Sequence, residues 1–137
     1  MREENCGMSD YESEITLSVP ISPVAKGRPL FTRSGRVYTP KRTTDFEGVI
    51  KMYWKKSRQK MLPVAPTYLK IEFYMPRPKK TKFDYPITRP DIDNLQKGVL
   101  DALNQLAWKD DNQIVKITVT KLYAKVPGVF IWAETFI

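Results

Sequence analysis

The stretch from 91 to 106 most constrains what this chain can fold into. Ile92, Leu95, Val99, Ala102, Leu103 and Leu106 recur at the helical period and predict a helix with one apolar face. That face has to be buried, and the chain carries strand patterns on both sides of it. In 67–75 the residues Leu69, Ile71, Phe73 and Met75 alternate, and Val115, Ile117 and Val119 alternate after the helix. With 137 residues, one domain is expected, and a 42% hydrophobic, 12% aromatic content is enough to give it a real core.

The remaining layout is read from the same signals. Ile15, Leu17 and Val19 predict a half-buried strand that Pro20 ends. Segments 28–33 and 36–39 predict two short strands joined at Ser34-Gly35. After Pro40, Thr44 or Asp45 is placed as the cap of a helix with Phe46, Val49, Ile50, Tyr53 and Met61 on its apolar side, ended by Pro63 and Pro66. A basic, proline-containing loop over 76–90 is long enough to suggest function or mobility. Segments 115–123 and 129–136, turning at Pro127-Gly128, are expected to form a hairpin that serves either as a plain core element or as part of a dimer surface. Residues 1–13 lack periodicity and are expected to be a disordered tail, leaving 14–137 as the domain. No apolar run approaches the ~20 residues of a membrane helix. The single cysteine, Cys6, has no intrachain partner, and the expectation is a soluble, cytoplasmic protein.

Net charge is +8, and its placement points to a polyanion. Between Lys26 and Lys60 eleven basic residues face only Asp45 and Glu47, with Phe31, Tyr38, Tyr53 and Trp54 interleaved. A second cluster, Arg77, Lys79, Lys80, Lys82 and Arg89, runs directly into the acidic stretch that follows. Basic side chains neutralise phosphates and aromatics stack on exposed bases. DNA contacts are therefore expected from Lys26, Arg28, Arg33, Arg36, Lys41, Arg42, Lys79, Lys80, Lys82 and Arg89.

The polar side of the 91–106 helix carries the candidate chemistry. Asp93, Lys97 and Asp101 are spaced i, i+4, i+8 and form one stripe. Asp91 reaches toward Asp93 only from an extended or capping conformation at the helix start. Asp110-Asp111-Asn112 follows the helix. Taken separately, these acids are ordinary helix caps and turn residues. Converging beside DNA, four carboxylates would repel one another and the phosphates unless a cation intervened. The sequence has no histidine and one remote cysteine, so such a site is oxygen-only and selects Mg²⁺ or Mn²⁺ over zinc. Metal-activated water then replaces the missing histidine base. Lys97 either meets a phosphate oxygen or forms an i, i+4 ion pair. Two alternatives stay open on the residues alone: a basic DNA-binding protein without catalysis, and a metal nuclease that prefers flaps or forks.

The residues Arg89-Pro90-Asp91-Ile92-Asp93-Asn94-Leu95-Gln96-Lys97, Asp101-Ala102-Leu103-Asn104 and Trp108-Lys109-Asp110-Asp111-Asn112-Gln113-Ile114-Val115 resemble the signature of the RusA family of Holliday-junction resolvases. Lys26-Gly27-Arg28-Pro29 and Ser34-Gly35-Arg36-Val37-Tyr38 resemble members carried by phages and prophages. The resemblance implies a homodimeric α+β endonuclease, a single small domain with a mixed β-sheet and two main helices, that cuts four-way DNA junctions symmetrically with Mg²⁺ or Mn²⁺. By motif position it implies that Asp91, Asp93 and Asp111 are the catalytic acids and metal ligands. Lys97 matches the family's lysine, and Asp110 is an additional ligand or a support for Asp111.

Overall fold

A computed structural model describes residues 13–25, 27, 30–38 and 41–136. The expected tail up to Glu12, and Lys26 and Arg28, lie outside the described residues. The elements are β1 (Glu14–Val19), β2 (Leu30–Phe31), β3 (Val37–Tyr38), α1 (Lys41–Ser57), β4 (Thr67–Pro76), α2 (Ile92–Leu103), β5 (Ile114–Ala124) and β6 (Gly128–Thr135). β1, β6, β4 and β5 form one mixed sheet in that order, with β4 parallel to β5 and antiparallel to β6, and β6 antiparallel to β1. β2 and β3 pair separately as a small hairpin. The domain is thus a small α+β fold with two helices.

The alternation read in the sequence becomes one buried sheet face. Ile15, Leu17 and Val19 of β1 lie opposite Ala133, Ile131 and Val129 of β6, which in turn face Leu69, Ile71 and Phe73 of β4. All nine join Phe46, Ile50 and Trp54 of α1 and Leu95, Val99, Ala102 and Leu103 of α2 in a single core. Both helices bury an apolar stripe on the same side of the sheet, which leaves the polar stripe of α2 facing outward. β4, α2 and β5 form a parallel β-α-β unit, so α2 runs back against the direction of the two strands it connects.

Four expectations change. α1 begins at Lys41 rather than at Thr44 or Asp45, and it stops at Ser57, where Arg58 takes a left-handed φ of 57°. Met61 therefore lies beyond the helix. α2 stops at Leu103, ahead of Leu106, because Asn104 leaves helical geometry and Gln105 adopts φ 69°. Segments 115–123 and 129–136 are strands but not a hairpin. β4 lies between them, and the short link 125–127 passes over its end, where Pro76 pairs with Ala124 and Tyr74 with Gly128. Alternation shows which face of a strand is apolar, not which strand it pairs with. Val115, finally, falls where the β4–β5 register shifts by one residue, and it is exposed rather than in line with Ile117 and Val119. The Ser34-Gly35 turn matches the reading, with Gly35 at φ 86° and Thr32 bonded across it to Arg36.

Candidate active site

Asp91 is the N-cap residue of α2, with extended backbone angles of φ −72° and ψ 149°. The Asp91 backbone carbonyl accepts the first helical bond, from the Leu95 amide, but the carboxylate makes no capping hydrogen bond. Aspartate at this position ordinarily caps the free amides of the first turn. Here the carboxylate stays available. It lines one cleft with Ile92, Asp93, Ile87, Thr88, Arg89 and Lys121. A second cleft, of about 560 Å³, brings Arg42, Arg89 and Asn94 to the other side of Asp91. Among the described residues Asp93 accepts a local bond, from the Asn94 amide at 3.0 Å. The pair expected at the helix start is therefore exposed and lines one cleft together with Arg89.

Asp110 and Asp111 sit at the other end of α2. The Asp111 amide donates to the side-chain oxygen of Asn104, the C-cap residue, at 3.1 Å. The indole N–H of Trp108, a fully buried residue, donates to Asp111 Oδ1 at 2.6 Å. Partial burial raises the Asp111 carboxyl above its ordinary range, the indole bond lowers it, and the nearby Asp101 and Asp110 raise it further. Asp110 caps the short 3₁₀ turn Asp111–Gln113, its Oδ1 accepting from the Asn112 amide at 2.9 Å. Gln113 ties the start of β5 to the Pro63 carbonyl at 2.9 Å and to the Thr67 hydroxyl at 3.1 Å. This end of the acidic motif is mostly framework.

The four carboxylates expected to converge do not do so within one chain. Among the described residues, no three acidic, histidine or cysteine side chains gather closely enough to hold one ion. Two independent rulers give the reason. The 12 residues of α2 span ~18 Å at ~1.5 Å per residue. Lys121, in the Asp91 cleft, stands seven positions along β5 from Ile114, or ~23 Å. Asp91 and Asp93 mark one pole, and Asp101, Asp110 and Asp111 the other. Lys97 lies exposed between them.

Of the expected DNA contacts, Arg42 and Arg89 stand at the Asp91 clefts, while Arg33, Arg36, Lys79, Lys80 and Lys82 are exposed on the hairpin and on the loop 77–90. Lys41 is exposed but engaged with Asp45 at 2.9 Å. The sequence reading passed over Lys121, Trp108 as the partner of Asp111, and Asn104 as its anchor. The signal for Lys121 was available: it continues the apolar row Ile117, Val119 on the core side of β5, opposite Phe73. A charge at such a position needs partners.

The family model for Endodeoxyribonuclease RusA matches residues 20–133, most of the chain. This chain belongs to the RusA endodeoxyribonuclease family. A Bacillus subtilis (strain 168) protein, "Uncharacterized protein YqaN", is 35% identical over 130 residues, covering 84% of this chain and 92% of that protein. Membership places the chain in a DNA endonuclease family and implies Holliday-junction resolution. Among the described residues no helix is long and apolar enough to cross a membrane.

Proposed function

We propose that this protein is a Mg²⁺-dependent endonuclease that resolves Holliday junctions by paired, symmetric incisions during DNA recombination and repair, with Mn²⁺ able to substitute. The observation that carries the reading is the Asp91 carboxylate, left without a capping bond at a helix N-cap beside Asp93. Mg²⁺ characteristically keeps several waters and takes one or two carboxylates plus substrate phosphate oxygens, and two exposed oxygen-donor acids in an open cleft fit that habit. When bound, the ion would supply a water nucleophile active at neutral pH and would polarise the scissile phosphate. Asp91 and Asp93 would hold it. Lys97, one turn along the same stripe, meets a non-bridging phosphate oxygen and offsets the charge that develops there. Arg42 and Arg89 receive the strand on the flank of Asp91.

Two matched nicks across a junction need two sites, and a two-fold homodimer supplies them. The separation of the poles supports a sharper form of that reading. The Asp110-Asp111 end of one copy lies beside the Asp91-Asp93 end of the other, so each centre draws acids from both chains. This arrangement reconciles the role that the motif position gives Asp111 with its distance from Asp91 in a single chain.

Incubating the purified protein with a labelled four-way junction, a flap and a linear duplex, in Mg²⁺ and then in EDTA, tests the function. Symmetric cutting of the junction alone, abolished by EDTA, is the expected result. Junction binding without cleavage in Mg²⁺ or Mn²⁺ would leave a basic DNA-binding protein instead, and preferential cutting of flaps would replace the junction substrate.

A further inference from the structure

Lys121 reaches from β5 to the end of the loop 77–90. Its ammonium donates to the backbone carbonyls of Thr88 and Pro90, each at 2.9 Å. These carbonyls flank Arg89, and Pro90 is joined directly to Asp91. The same side chain lines the cleft that holds Asp91 and Asp93. Lysine carries three donors and no acceptor, and two of them grip the backbone that leads into α2. Elsewhere the loop is tied by the buried Pro86 and by Arg77 over the Tyr123 ring, while its Arg77–Asp84 pair is long, at 3.9 Å, and well exposed, and such pairs add little stability. β5 pairs with β4 from Ile114 to Ala124 apart from the register shift at Val115, and without interruption around Lys121. The bond pattern transfers the rigidity of the sheet to the one loop end that aims Asp91.

We infer that Lys121 is a positioning residue: by clamping the Thr88 and Pro90 carbonyls to the sheet it fixes the backbone entering Asp91, so that the Asp91 carboxylate stands beside Asp93 before a divalent ion binds. The inference rests on the nuclease reading above, since it assigns Lys121 a purpose in that same cleft. Its physical basis is that an unclamped loop has to be ordered when the ion binds, and that ordering opposes binding. Groups that orient metal ligands typically cost about 10–100-fold in metal affinity when removed.

The test compares the full-length wild type with Lys121→Met and Lys121→Arg. Mn²⁺ affinity is read by electron paramagnetic resonance of the free aquo ion, and the backbone is read by amide hydrogen exchange across 87–92 without metal. Lys121→Met is expected to weaken Mn²⁺ binding by about 10–100-fold and to speed exchange. Its junction cleavage should need correspondingly more Mg²⁺ while approaching the wild-type plateau. Lys121→Arg, whose guanidinium can bridge two carbonyls, should restore both readings. If the Met variant does not fold, Lys121→Gln, too short to span both carbonyls, takes its place with the same expectations. Wild-type Mn²⁺ affinity in the Met or Gln variant overturns the positioning role and leaves the nuclease reading standing. Faster exchange with unchanged affinity also overturns it, because Lys121 is then a plain loop brace. A wild type that binds no Mn²⁺ sinks the nuclease reading, and this inference with it.

Discussion

The two ends of α2 carry the same residue type in opposite circumstances. At the start, Asp91 and Asp93 are exposed, lie in clefts with Arg42, Arg89 and Lys121, and are held chiefly through backbone. At the end, Asp111 is half-buried, with an indole on its carboxylate and an asparagine on its amide, and its charge is opposed by burial and by Asp101 and Asp110. One end is left open to a ligand. The other is set in place by the protein itself. The contrast shows that a run of aspartates in sequence is not yet a site, because what surrounds each carboxylate decides whether it can receive an ion, brace a turn or wait for a partner.

The largest expected effect breaks the contrast at its open end. A bound ion supplies several kcal/mol of transition-state charge stabilisation, so Asp91→Asn should lower junction cleavage by roughly a thousandfold or more while junction binding persists. Single-turnover cutting and gel-shift titration read the two separately, and cleavage near the wild-type rate would remove Asp91 from the chemistry. Lys97→Met, between the poles, should lower the cleavage rate by roughly 100–1,000-fold with the fold and most binding kept. Normal cutting would leave Lys97 as a surface residue. Arg42→Ala should weaken binding to junctions of every sequence alike and reduce the slope of log affinity against log salt by about 0.9. An unchanged salt slope would place the strand elsewhere than the Arg42 flank.

The smallest expected effect is one on stability, at the set end. Asp111→Asn keeps an oxygen for the Trp108 indole and removes a charge that the fold disfavours. Because the Asp111 carboxyl titrates above its ordinary value, its ionised form costs stability at neutral pH, and that cost disappears as pH falls through the raised value. The Asn variant should melt slightly above the wild type at pH 7, with the gap closing on acidification. A variant that melts lower at pH 7 would show that the carboxylate is needed by the fold rather than tolerated for function.

How much of this was legible in the sequence follows from what each pattern measures. Period and alternation report burial, which is why β1, β4 and the core face of α2 are readable from Ile15, Leu69 and Leu95 without a structure. Pairing depends on the approach of distant segments, so the insertion of β4 between β5 and β6 was not readable. Helix ends are set by single backbone conformations, at Arg58 and at Gln105, that apolar spacing does not register. At the site, the extended Asp91 was deducible from the need to turn it toward Asp93, and the exposure of Lys97 followed from its place on the polar stripe. The distance between Asp91 and Asp111 was not deducible, because residues close in a motif can be separated by the length of the helix between them. Lys121 is the converse case, 30 positions from Asp91 in sequence and beside it in the fold.

The account stands or falls on whether the two ends of α2 meet across two copies. Asp91→Asn and Asp111→Asn chains, each expected to be inactive alone, can be co-refolded so that mixed dimers form, and the products on a labelled four-way junction can be counted strand by strand. If each centre draws acids from both chains, a mixed dimer has one centre carrying both substitutions and one carrying neither, and the mixture should nick a single strand per junction. A mixture as inactive as its components, with mixed dimers demonstrated by native mass spectrometry, would contradict the shared centre.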